Sequence, residues 1–110
     1  MDFHSDSVDR LFETIHSLES VEECQRFFED LCTIKEILDM AQRLDTAILL
    51  DKGMSYHTIA EQVGISTATI SRVSRCLTYG AGGYRDVIER LKKKEQTEKE
   101  QEKEKDNADQ

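Results

Sequence analysis

Apolar residues fall into helical stripes over the first half of the chain. Val8, Leu11, Phe12 and Ile15 recur at i, i+3, i+4 and i+7, which predicts one apolar face on a helix from about Ser7 to Leu18. Ser20 stands three residues before Glu23, a spacing at which each side chain can bond the other residue's backbone N–H. Cys24, Phe27, Phe28 and Leu31 then line the face of a second helix. Thr33 and Glu36 repeat that box ahead of Ile37, Leu38, Ala41, Leu44 and Ile48, and Gly53 offers the left-handed residue that ends a third helix.

Shorter elements follow. Ser55 can cap a helix ending near Val63, Gly64 interrupts it, and Ser66 can cap another that runs to about Tyr79. Gly80, Gly82 and Gly83 break the chain, and Tyr84, Val87, Ile88 and Leu91 form one last stripe. From Lys92 to Gln110 the sequence KKKEQTEKEQEKEKDNADQ is apolar only at Ala108, so nothing offsets the entropy of ordering it. The expected organisation is a helical domain over residues 1–91 and a charged, disordered, at most transiently helical tail over 92–110.

Composition narrows the fold class. The chain has 110 residues, enough for one ordinary domain, and it has no proline, so all-α is expected. No apolar run approaches the roughly 20 residues of a membrane span, and the opening MDFHSDSVDR is acidic where a secretory signal would be basic and then apolar. A soluble, cytoplasmic protein is expected, with no membrane partner. Cys24, Cys32 and Cys76 contain no CxxC pair, and His4, His16 and His57 lack ligand spacing with one another or with cysteine. No metal or other cofactor is therefore expected.

Charge is segregated along the chain. The net value of -8 would argue against nucleic acid as a partner. Residues 1–51, however, carry four basic and 13 acidic groups, residues 52–94 carry eight and three, and residues 95–110 carry three and seven. A basic segment between acidic ones suits a DNA-facing surface, with the acidic parts discouraging indiscriminate phosphate binding.

The basic segment holds the strongest motif, SYHTIAEQVGISTATISRVSRC, which meets the steric requirements of a helix-turn-helix over about 55–78. Two short helices crossing steeply need a small residue where they approach, and Ala60 supplies it. Four residues on, Gly64 permits the positive φ of the turn. Ile59, Val63, Ile65, Ile70 and Val73 fall at the inward positions. On the second helix Ile70, Val73 and Leu77 take one side, which leaves Thr67, Ala68, Ser71, Arg72 and Arg75 on an outer face without an acid. Such a face fits a major groove. Lys52, Ser55, Tyr56 and His57 precede or begin the first motif helix, whose free N–H groups favour phosphate.

With IAEQVGISTATISRV and RCLTYG as its most specific segments, the chain resembles the Trp repressor superfamily, in particular its Trp-repressor-related YerC/YecD type, over roughly residues 7–91. The resemblance implies an all-α, six-helix fold, an intertwined homodimer and two readers on a pseudo-palindromic operator. It implies DNA contact by Thr67, Ala68, Ser71 and Arg72; Arg75 is added from helix geometry. Phe12, Phe27, Phe28 and Leu44 are the expected dimer-interface residues, since a domain this small cannot easily bury them alone.

The ligand of that superfamily's name is not expected to bind. At the positions that the resemblance aligns with the tryptophan pocket, Val73 replaces a glycine that lies over the ring, Gln42 replaces a flanking arginine, and Cys76 replaces a serine. Thr69 and Arg72 alone keep the pocket's residue types, so the pocket is expected to be filled. Three other readings compete. An enzyme is disfavoured because nothing gathers the carboxylates into a cleft and no glycine motif cradles phosphate. A helical protein-interaction adaptor predicts no salt-dependent DNA binding. A helix-turn-helix protein of replication or recombination would ordinarily carry a second, catalytic domain.

Overall fold

Residues 4–108 are described by the structure, a computed structural model. Helix α1, Asp6–His16, begins where the Ser5 hydroxyl accepts the Val8 N–H at 3.2 Å. It ends two residues earlier than its apolar stripe predicts. The Ser17 N–H is shared between the Glu13 and Thr14 carbonyls, and the Ser17 hydroxyl donates to Thr14 at 2.6 Å, so the last turn tightens and stops. Helix α2, Val21–Leu31, is capped by Ser20, whose hydroxyl accepts the Glu23 N–H at 3.1 Å. Glu23 reaches back one residue further than the box predicts, to the Glu19 N–H at 3.3 Å.

At the start of α3, Ile34–Asp51, the box is reciprocal: the Thr33 N–H donates to Glu36 Oε1 at 2.9 Å, and the Glu36 N–H donates to the Thr33 hydroxyl at 3.1 Å. Hydrogen bonding to the carboxylate from the Thr33 backbone first, and from the Thr33 side chain second, stabilises the ionised form and lowers the Glu36 pKa. The far end of α3 closes as expected. Gly53 adopts φ +84°, its N–H bonds Leu50 O at 3.0 Å and the Met54 N–H bonds Leu49 O at 3.2 Å, the paired bonds of a Schellman stop.

Two compact units divide the chain, one ending at Asp39 and one beginning at Met40. In the first, neither α1 nor α2 has a buried residue. Phe27 and Phe28 are half-buried, with ring centroids 5.8 Å apart and planes at 83°, while Phe12, Val21, Leu31, Ile34 and Leu38 are exposed. That amount of accessible apolar surface is large for two amphipathic helices and the first turn of a third.

The second unit holds the core. Ala47 of α3, Val73 of α5 (Thr67–Tyr79) and Ile88 of α6 (Gly83–Ala108) are buried together, with Ile48, Leu50, Leu77 and Tyr84 packed against them. Ile59 and Ile70 are fully buried, each contributing about 1.5–3 kcal/mol by leaving water. Thr46, buried with them, donates its hydroxyl to Gln42 O at 2.7 Å and so carries no unmet polar group.

Two sequence expectations need correction in this unit. The helix expected over 55–63 has α-helical bonding only in α4, Tyr56–Ile59; Ala60–Gly64 form a wider π-type turn before α5. Adding one residue to a turn widens the backbone where the chain must reverse, and Gly64, at φ +79°, completes the reversal. The tail expected to be disordered is instead helical: α6 continues through Lys92 to Ala108. Glu, Lys and Gln are strong helix formers, and opposite charges such as Glu95 and Lys99 fall four apart. The part of the expectation that concerns packing agrees with the structure, since residues 91–107 are all exposed.

Candidate nucleic-acid interface

Local chemistry sets the position of each helix of the motif. Ser55 caps α4 by accepting the Thr58 N–H at 3.2 Å, and Ser66 caps α5 by accepting the Thr69 N–H at 3.2 Å. On α5 the apolar repeat buries Ile70 completely and leaves Val73 only 2% exposed, which turns the opposite face outward. Thr67, Ala68, Ser71, Arg72 and Arg75 are all exposed on it. The structure therefore brings the five expected base-reading residues together on one rigid element. Ala60 is half-buried at the start of the π-type turn, where the motif requires a small side chain.

The expected phosphate contacts are less uniform. Lys52 is exposed beside the Schellman stop, and Tyr56 is 41% exposed on the first turn of α4. His57 is exposed but lies 3.2 Å from Glu61, an acid that competes for it. The Ser55 hydroxyl donates to Thr58 Oγ1 at 2.9 Å, so its proton is already used inside the cap. A phosphate oxygen needs donors, and of the four residues Lys52 and Tyr56 carry exposed donor groups that no such cap or acid engages.

Next to the reading face lies an open cleft of about 570 Å³ lined by Met40, Arg43, Leu44, Arg72, Val73, Cys76 and Tyr84. Two sequence expectations change here. The cleft is not filled, although the branched Val73 side chain forms part of its wall. Gln42 is absent from the lining, because its amide points to the carbonyl of Val63 at 3.4 Å; the guanidinium from α3 that borders the cleft is that of the next residue, Arg43. Thr69 is also engaged elsewhere, with its hydroxyl 3.0 Å from that of Ser66. Of the expected dimer-interface residues, Leu44 lies on the cleft rim, half-buried Phe27 and Phe28 and exposed Phe12 on the first unit.

Sequence reasoning missed three contributors. Arg43 gave no signal beyond a lone charge on an amphipathic helix. Arg85 donates Nε–H to Leu77 O at 2.8 Å, a bond between different helices that no local periodicity announces. Gly80 was legible only as a breaker, yet a Cβ there would collide with the carbonyl oxygen of Cys76. Among the described residues, no cluster of three or more metal-ligating side chains occurs and no helix is long and apolar enough to cross a membrane.

The family model described as Trp repressor protein matches residues 6–92, the six-helix region up to the start of the charged tail. The chain belongs to the Trp repressor family. This is a family of regulators. Within the Trp repressor family, the uncharacterized protein YerC of Bacillus subtilis (strain 168) is 53% identical over 88 residues, covering 80% of this chain and 85% of that protein. A TrpR-like protein from Eubacterium eligens ATCC 27750 superposes with a TM-score of 0.77 at 50% identity, covering 79% of this chain and 90% of the other. A Staphylococcus aureus structure superposes with a TM-score of 0.78 at 44% identity, covering 81% and 89%. The all-α, six-helix architecture of the Trp repressor type is thus shared along most of each chain.

Proposed function

We propose that the protein is a sequence-specific DNA-binding transcriptional regulator, a repressor that acts as a homodimer on a pseudo-palindromic operator. One observation carries the reading: the exposed face of α5 presents Arg72 and Arg75 with Thr67, Ala68 and Ser71 and no acid, on a helix anchored by buried Ile70 and Val73. In a chain of net charge -8 such a face opposes the general repulsion of phosphate. Arg72 grips guanine O6 and N7 or a phosphate, Thr67 and Ala68 offer methyl groups to thymine, and Ser71 offers a hydroxyl to either partner. Because these other side chains are short, water bridges and DNA shape share the readout.

Dimerisation follows from the same economy of surface. Helices α1 and α2 bury no residue within the chain, so Phe12, Phe27, Phe28 and Leu44 join a second copy's apolar surface. Tryptophan is not the effector in this reading. Val73 puts a branched side chain where the family's pocket needs a bare backbone, and the α3 cation at the cleft is Arg43, not residue 42, beside Arg72 of α5.

Selection of genomic fragments on the purified protein at about 150 mM salt, followed by anisotropy on an enriched duplex, tests the reading; non-specific Kd values there are about 10⁻⁴ to 10⁻⁶ M. The expected result is a pseudo-palindrome whose enrichment disappears in Arg72→Ala. Binding indifferent to sequence and to that substitution would replace the reading with a protein-interaction adaptor. A micromolar tryptophan isotherm by calorimetry would overturn the effector statement alone.

A further inference from the structure

The α4–α5 reader is fastened at its turn and at its C-terminal end by side chains that reach carbonyl groups from neighbouring helices. Carbonyls in the last turn of a helix have no donor within that helix. At the turn, Gln42 of α3 donates Nε2–H to Val63 O at 3.4 Å, 21 positions along the chain and immediately before Gly64. Gln42 and Val63 are both half-buried. The backbone carbonyl of Gln42 also accepts the hydroxyl of buried Thr46, which ties this point of α3 into the core. At the C-terminal end, Arg85 of α6 donates Nε–H to Leu77 O at 2.8 Å, and Leu77 itself packs on the Ala47, Val73 and Ile88 cluster.

We propose that Gln42 and Arg85 are positioning residues that clamp the turn and the C-terminal end of the reader, so holding α5 from both sides and fixing its tilt without touching DNA. The proposal rests on the DNA-reading function above. The Gln42 bond is long, so its weight lies in its place: it holds the only segment, Ala60–Gly64, where the regular helical bonding of the motif is interrupted. Base edges are read within about half an ångström and 10–20°. A tilt of α5 therefore costs selectivity, whereas attraction to phosphate, which has no such angular demand, persists.

The test compares the full-length chain with Gln42→Met, Arg85→Met and Arg85→Lys, by anisotropy on the selected duplex and on a scrambled one over a range of salt. Hydrogen exchange of the amides of residues 65–70 is followed in the free protein. For either methionine variant, affinity for the selected duplex is expected to fall roughly three- to tenfold per protomer, the scale of one net hydrogen bond, while the scrambled duplex changes by less than about twofold. The slope of log K against log salt stays unchanged, and exchange at residues 65–70 accelerates in Gln42→Met. An Arg85→Met loss that is equal on both duplexes, lowers the salt slope by about one and is restored by Arg85→Lys would make Arg85 a phosphate ligand instead. Unchanged selected-duplex affinity and unchanged exchange in Gln42→Met would overturn that clamp. If the wild type selects no duplex, the DNA reading has failed, and so has the positioning role; exchange then decides only whether the Gln42 tie exists.

Discussion

The Lys92 ammonium lies 2.6 Å from Asp51 Oδ2, joining α6 to the last residue of α3 where both helices turn polar. Asp51 is 30% exposed at its side chain and Lys92 is 60% exposed, so the pair sits at the edge of the core and not inside it. Such a pair contributes about 0.2–1 kcal/mol and is screened by salt. Lys92→Ala is expected to lower the melting temperature slightly at low ionic strength, with the difference from wild type vanishing near 1 M salt. A loss that does not depend on salt would mean that the aliphatic stem of Lys92, and not its charge, is what matters.

Two glycines in the reader region separate backbone conformation from space. Gly64 has φ +79° with open space where a Cβ would stand, so Gly64→Ala costs only the left-handed penalty of about 1–2 kcal/mol. Gly80 has an ordinary negative φ, but its Cβ would collide with the Cys76 carbonyl oxygen, so Gly80→Ala forces the end of α5 to move. The expected order of urea midpoints is wild type, Gly64→Ala, Gly80→Ala. Reversal of the last two would show that the chain between α5 and α6 yields more easily than the turn within the motif.

The contrast explains what could be read from the sequence. Local rules found the reciprocal Thr33–Glu36 box, the Ser20 cap of α2, the Gly53 stop and the buried side of α5, because each depends on residues within a few positions of one another. The exposed row Thr67, Ala68, Ser71, Arg72 and Arg75 was legible for the same reason: a helix with one buried side has only one other. Gln42 on Val63 and Arg85 on Leu77 were not, since side chains chosen by packing between helices leave no periodic trace. The helix of the tail was not legible from burial, because a run of Glu, Lys and Gln carries helical structure by propensity without a buried face.

Acid should loosen the entry to α3. Two bonds from Thr33, backbone first and hydroxyl second, hold the Glu36 carboxylate in its charged form and lower its pKa below the ordinary glutamate value. Its stabilising contribution is therefore complete above the unfolded-state pKa and is lost as pH falls through the lower, folded-state value. Wild type is expected to melt above Glu36→Gln near neutral pH, and the gap should close in acid. A gap that widens on acidification would show that the carboxylate is not the favoured form at this cap.

Base reading and phosphate gripping separate in their dependence on sequence and salt. Arg72 projects from the outward face of α5, whereas Lys52 stands beside the α3 stop, away from that face in sequence and close to the start of α4. Arg72→Ala is expected to cost about 1–3 kcal/mol at the selected operator and to relax the preference at one position of it. Lys52→Ala should weaken selected and scrambled duplexes alike and reduce the salt slope by about one, because one released counterion is lost. Anisotropy titrations of both variants on both duplexes, each at several salt concentrations, check the division. If Arg72→Ala gave the same sequence-blind loss as Lys52→Ala, α5 would be a phosphate-binding helix and selectivity would have to come from DNA shape alone.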